Sequence, residues 1–443
     1  MEQLLRSTRI VTPTGIVDGA IHISGDRITA VSAAADIPTG IPVQDFGNFA
    51  VLPGLVDPHV HINEPGRSDW EGFQTATRAA AAGGITALID MPLNSSPVTT
   101  TLEALREKHA ATAGKLTVDV GFHGGLIPGN SPHLGALADA GVFGIKAFLV
   151  HSGIDEFPNA TESDLRAAMP ILQQRNLPLL VHAELDEPSP PPRDGRSDHA
   201  AWSASRPQSM EVRAIEMLLA RHREAPCPLH IVHLAASNGI PLLREARTHR
   251  DNITVETCPH YLHFAEEEIP PSNTLFKCAP PIRGGVNRDA LWNGLQSGVI
   301  DMIASDHSPC PPAMKALDSG DFFRAWGGIS SLQFGLPVLW SHAGARGFGL
   351  REIARWMSEM PARIFQLPRH GAIIAGNLAN IVVFDTEGRT SITEQTTEHR
   401  HKLTPYSGEN LRGSVVATYL RGACIFSEGR ILGAPGGAIL RRK

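Results

Sequence analysis

Cysteine, long apolar runs and clustered positive charge are all scarce in this chain, and each scarcity removes a class of protein. There are five cysteines in 443 residues (Cys227, Cys258, Cys278, Cys310 and Cys424), with no CxxC pair. An odd number at scattered spacings fits reduced, buried thiols better than a disulfide framework or a cysteine metal site. No stretch approaches the roughly eighteen uninterrupted apolar residues of a membrane span, and the first nine residues lack a signal-peptide core. A cytoplasmic protein without a membrane partner is expected. Lys and Arg number 39 against 45 Asp and Glu, for a net charge of -6, and no basic tract would follow a phosphate backbone. Nucleic acid is therefore not an expected partner.

What is present is a 42% hydrophobic chain long enough for a large barrel with additions. Residues 1–50 carry short alternating runs such as Gly19-Ala20-Ile21-His22-Ile23, punctuated by Gly and Pro. The C-terminal part repeats the pattern in Ala379-Asn380-Ile381-Val382-Val383-Phe384 and Val415-Val416-Ala417-Thr418-Tyr419-Leu420. Both ends read as antiparallel strands. Between them, strand-like runs at 51–56, 86–91, 116–122, 144–149, 177–182, 229–234, 253–257 and 301–305 alternate with segments of helical period. Eight βα repeats predict an α/β fold with a closed (β/α)₈ barrel over 51–365. A small β-sandwich domain assembled from 1–50 and 366–443 is expected beside it. A doubly wound open sheet is the alternative, but no GxGxxG follows a strand.

A barrel of this kind places its site at the C-terminal ends of the strands, and polar residues fall there. Asp57-Pro58-His59-Val60-His61 ends the first run; alternation points His59 and His61 the same way, the spacing for two ligands of one metal ion. Lys146 lies inside the apolar run Gly144-Ile145-Lys146-Ala147-Phe148-Leu149, where an unpaired ammonium is costly. Either a carboxylate pairs with it, or carbon dioxide has carboxylated its amine into an anion able to bridge two metal ions. His182 ends the fifth run. In the sixth, His230 and His233 lie on opposite faces, and His233, nearer the C-terminal end, is expected to face the mouth. In Ser305-Asp306-His307 the carboxylate of Asp306 is assigned inward.

Taken with Glu256-Thr257-Cys258-Pro259-His260-Tyr261-Leu262, these segments resemble the cyclic-amide branch of the amidohydrolase superfamily, which holds dihydroorotases, hydantoinases and allantoinases. The resemblance covers nearly the whole chain and is closest to the allantoinases. It implies two divalent metal ions, zinc first and iron, manganese or cobalt as alternatives. His59, His61, Lys146 and Asp306 would hold one, and carboxylated Lys146, His182 and His233 the other. It also implies a metal-bridging hydroxide, Asp306 as the catalytic proton carrier, and a homotetramer. His260 would orient a ligand or the substrate, or be an ordinary core histidine.

Within the branch, dihydroorotases carry an arginine two residues after the HxH pair to grip a carboxylate; here Ile62-Asn63 follows. Hydantoinases place a tyrosine five residues after the bridging lysine, and His151 stands there. Allantoinase-like wording appears in Asp90-Met91-Pro92-Leu93-Asn94, Lys277-Cys278-Ala279-Pro280-Pro281-Ile282-Arg283 and Trp326-Gly327-Gly328-Ile329-Ser330. Asn94, His151, Cys278, Gly327 and Gly328 are the expected substrate contacts, the two glycines permitting close backbone approach to a hydantoin ring. Opening of allantoin to allantoate is the expected reaction, with a hydantoinase as the nearest rival, and a dihydroorotase or a non-catalytic scaffold further off. The Pro-rich segment 186–195 is expected to be a lid over the mouth or a solvated loop.

Overall fold

The structure, a computed structural model, describes residues 2–187, 194–249 and 252–443. Its centre is a ring of parallel strands: β1 Leu55–Val60, β2 Ile85–Asp90, β3 Asp119–Phe122 continued by Gly124–Gly125, β4 Ile145–Phe148, β5 Leu179–His182, β6 Leu229–Ile231, β7 Ile253–Thr257 and β8 Met302–Ile303. Each pairs in parallel with the next. The ring closes where Val60 bridges His307 and the His61 amide donates to the His307 carbonyl at 2.8 Å. All eight expected strands are present among the described residues, most of them trimmed at one end. Helices fill the connections, the longer ones burying an apolar face. Glu162–Gln174, for instance, starts at a Thr161/Asp164 capping box and buries Leu165, Ala168, Met169 and Leu172.

The first strand differs from expectation. The apolar run 51–56 is two strands that meet at Gly54. Ala50–Pro53 pairs antiparallel with Ile381–Phe384 and parallel with Arg9-Ile10, whereas Leu55 begins the barrel. The handover is visible in adjacent amides: Gly54 donates to Asn380 and Leu55 to Gly84. A side chain at 54 would meet Thr86 at 2.4 Å, so the bend needs glycine. Continuous hydrophobicity gave no sign of the break, because both strands are buried throughout.

Strands from both chain ends build the second unit. Arg27–Ala33, Gly15–Ser24, Glu2–Thr12, Ala50–Pro53, Ile381–Ser391, Asn410–Leu420, Ala423–Ser427 and Arg430–Ile431 join in that spatial order, with Val43–Asp45 beside Glu2–Thr12, as one nine-stranded sheet among the described residues. Its own apolar core includes Leu5, Ile21, Ile28, Val51, Ile381 and Tyr419.

The last residues return to the barrel. β3 pairs with β2, but only its Gly124–Gly125 end pairs with β4. Beside its lower part runs the C-terminal segment: Val120 donates to Ala438 at 2.9 Å and Leu440 donates back at 2.8 Å. Asp119, 1% exposed, anchors that segment by accepting from the Ala438 amide and from Arg421. Asp119→Ala strands a half-buried guanidinium and frees an amide. The expected cost is about 2–3 kcal/mol, below the range for a fully buried pair because Arg421 reaches solvent. Thermal unfolding should show a midpoint several degrees lower; an unchanged midpoint would mean the tail carries no stability.

Candidate metal centre and substrate cavity

The strand ends bring the expected chemistry together. Alternation along β1 sends His59 and His61 to the same side, their ring centroids 5.7 Å apart. The Nδ1–H of His59 donates to Glu256, a buried carboxylate on β7, so its lone pair sits on Nε2. That Nε2 lies 3.2 Å from Asp306 Oδ1 yet has no hydrogen bond. His61 Nε2 is 3.4 Å from the same oxygen. Asn94 approaches Nδ1 of His61 at 3.4 Å, while its own Oδ1 is buried without a donor. With the amide turned over, that oxygen accepts from the His61 Nδ1–H and leaves the Nε2 lone pair toward Asp306.

Lys146 is fully buried in β4, and its ammonium nitrogen has no hydrogen-bond partner among the described residues. It sits 5.0 Å from the Phe148 ring centroid. The carboxylate partner that an ordinary buried lysine would require is missing there. Burial pushes its pKa down to about 8, against the opposing pull of Asp306 and Glu256. His182, at the end of β5, stacks on Phe148 at 4.5 Å and donates from Nε2 to Glu184 at 2.7 Å. Burial alone would raise the Glu184 carboxyl, but Arg206 and His182 hold it well below its usual range.

Beyond β6, His233 turns into the mouth with φ 38°, and Asp306 beyond β8 has φ 44°. Both lie in the left-handed region that non-glycine residues seldom occupy, a strain that clusters at functional sites. His230 points elsewhere, hydrogen-bonded to Thr254 at 2.7 Å and Glu256 at 3.1 Å. His233 Nδ1 is buried without a partner, and its ring is 5.4 Å from His59 and 4.6 Å from His182. The ligand atoms of His59, His233 and Asp306 all lie within 4.8 Å of one another.

The charge states suit cation binding. Burial, reinforced by Lys146, keeps His59 well below its ordinary pKa; burial and His182 do the same for His233, so both imidazoles are neutral donors. Burial would raise Asp306, but His59 and His61 outweigh it and hold the carboxyl at about 2. An imidazole nitrogen facing a carboxylate oxygen without a proton between them, beside an unpartnered amine and a second free imidazole nitrogen, is the donor set of a metal centre. The residues present therefore fit the divalent ions that the sequence implies.

These groups form the floor of a cavity of about 400 Å³. Asn94, His151 and Gly327 also line it. His151 is at the rim, mostly exposed, with Asp155 at 3.4 Å and accepting from the Gly153 amide at 3.1 Å. Cys278 and Gly328 stand behind the wall: the Cys278 side chain is buried while its carbonyl accepts from Trp202 at 3.0 Å, and the Gly328 amide donates to Lys277 at 2.9 Å. Their expected contact with substrate is thus not one that the lining provides. His260 is wholly buried against Tyr261, outside the cavity lining, with neither ring nitrogen hydrogen-bonded. The expected lid at 186–195 falls largely on residues 188–193, outside the described residues.

Sequence reasoning missed the groups that hold the ligands and build the wall. Glu256 fixes His59 and His230 and accepts from the His233 amide at 3.2 Å. Glu184 and Arg206 fix His182. A carboxylate inside the apolar run 253–257, and another two residues after His182, were the available signals. Trp202, on the short helix His199–Ala204, is also in the lining, as are Lys277 and Trp326, which the sequence motifs contained without singling them out.

Residues 50–190 and 203–425 match the amidohydrolase family. The chain is similar to an allantoinase of Streptomyces avermitilis, 44% identical and covering 100% of this chain and 99% of that protein. It is likewise similar to an allantoinase of Arabidopsis thaliana, 42% identical over 96% of this chain and 88% of that protein. Among solved structures it resembles an L-hydantoinase (dihydropyrimidinase) from Arthrobacter aurescens, with a TM-score of 0.93 and 28% identity over 100% of both chains.

Glu256→Gln tests whether the carboxylate sets the histidine tautomer. Metal affinity, read by competition against a chelator, should fall about 10–100-fold with the fold retained. Unchanged affinity would make Glu256 a packing residue.

Proposed function

Since the chain belongs to the amidohydrolase family, we infer that it is a cyclic-amide hydrolase that opens the hydantoin ring of allantoin to allantoate. The observation that carries this reading is similarity along essentially the full chain to allantoinases from a bacterium and a plant at 42–44% identity, against 28% to the hydantoinase that shares its fold. The orphaned donors at the barrel mouth supply the chemical means.

In this proposal His59, His61 and Asp306 hold one divalent ion and His182 and His233 a second, with carboxylated Lys146 shared between them. Bound there, the ions would activate water and polarise the ring carbonyl. Zinc suits these imidazole and carboxylate donors, as do iron, manganese and cobalt. The lowered pKa of Lys146 matters for its modification, because burial favours the free-base amine that reacts with carbon dioxide. Its nitrogen lone pair bonds to the carbon of carbon dioxide, one C=O electron pair moves to oxygen, and the nitrogen loses a proton. A buried cation becomes an anion of carboxylate type.

Asp306 is ionised at neutral pH and so is ready to accept a proton. It takes one onto a carboxylate oxygen as water adds to the ring carbonyl, then gives it to the departing ring nitrogen when the C–N bond breaks. Asp306 is the one Asp or Glu side chain among the described residues that line the cavity. No helix among the described residues is long and apolar enough to cross a membrane. Operation in the cytoplasm is part of the proposal, supported by the five free cysteines.

The test is turnover of allantoin beside unsubstituted hydantoin and dihydroorotate, on metal-loaded protein in bicarbonate buffer; sedimentation of the same sample reads its assembly, proposed to be a homotetramer. Preference for allantoin of at least about 100-fold in kcat/KM is expected. Turnover of hydantoin alone would replace the substrate assignment by that of a hydantoinase, and a preference for dihydroorotate would overturn it as well.

A further inference from the structure

Lys277, Trp202 and Trp326 line the same cavity as the candidate metal ligands and carry hydrogen-bond donors. Lys277 is buried, lines the cavity, and makes no ion pair among the described residues. Its ammonium lies 4.3 Å from the centroid of the Trp202 ring and donates to the Ala325 carbonyl, which uses one of its three protons. Trp202 is itself held, its indole N–H donating to the Cys278 carbonyl at 3.0 Å. Next along the chain from Ala325 is Trp326, whose indole nitrogen is buried without an acceptor while its ring packs edge-on against Trp70 at 4.9 Å. Two residues of this lining therefore carry donors with unused capacity.

A buried donor left unpaired in a complex is costly, so a wall of this kind selects for a ligand that pairs it and against one that does not. An alkyl or aryl group on the ring would leave both donors empty. A flat, neutral ureido group matches them, because its carbonyl is a strong acceptor and its plane can lie along an indole face.

We propose that Lys277 and Trp326 form a subsite for the ureido substituent of the substrate, donating to its carbonyl, and that this subsite sets the preference for allantoin over simpler hydantoins. This inference rests on the allantoin reading and deepens it by assigning the specificity to two named donors. In this assignment both residues act on substrate binding.

Lys277→Met retains the stem over Trp202 and removes the donor, and Trp326→Phe retains an aromatic ring and removes the N–H. Allantoin turnover is measured for each, together with inhibition of that turnover by unsubstituted hydantoin, which lacks the ureido group. For Lys277→Met the KM for allantoin should rise about 10–50-fold, with kcat changed less than about threefold and the inhibition constant of hydantoin less than about twofold. Trp326→Phe should raise KM about 3–10-fold in the same pattern. If allantoin and hydantoin weaken together, the residues shape the whole cavity and the subsite is refuted; an unchanged KM in both variants refutes it too. Tight binding of dihydroorotate to the unaltered protein, lost in Lys277→Met, would assign Lys277 to a carboxylate instead. Absence of allantoin turnover in the unaltered protein would remove the functional reading and the subsite with it, whereas turnover with unaltered variant KM values removes the subsite alone.

Discussion

The hydrogen bond from the His61 amide to the His307 carbonyl closes the barrel, and the metal centre depends on that closure. It brings the end of the first barrel strand against the segment that follows the last. His59 and His61 thereby meet Asp306 across 247 and 245 residues of sequence, at 3.2 and 3.4 Å. An open sheet would leave these groups on opposite edges. Just beyond the last strand, Asp306 adopts a left-handed backbone, and its carboxylate lies beside both histidines.

Around this junction the protein has arranged an electrostatic problem that a cation solves. Neutral imidazoles, an ionised carboxylate and a buried amine face one another without the protons that would link them. Carboxylates one layer out, Glu256 and Glu184, fix which ring nitrogen carries the hydrogen, and Arg206 in turn fixes Glu184. The amine is the telling element. As an ammonium, Lys146 would bring positive charge to the place where metal ions are needed; in the proposed carboxylated form it would supply the negative charge that they require.

Much of the fold was legible because the barrel's periodicity is local. Each β run is largely apolar and is followed by a helical segment, so the eight strands, and the five among them that carry a candidate ligand, follow from reading along the chain. The break at Gly54 was not legible, since two buried strands in succession look like one apolar run. Nor was the insertion of the C-terminal segment beside β3, which depends on Asp119 and Arg421 meeting across 302 residues. The same holds for Glu256, which is 197 residues from the histidine it orients. At the cavity, the Cys278 side chain is buried and its carbonyl accepts from Trp202, while the neighbouring Lys277 lines the cavity.

The central claim is that Lys146 acts as an anion, and carbon-13 NMR of the holoprotein equilibrated with labelled bicarbonate tests it most directly. One protein-bound carbamate carbon per chain, absent from Lys146→Ala, is the predicted result. A fully active, metal-loaded protein with no carbamate signal would contradict the account and leave Lys146 an unmodified amine.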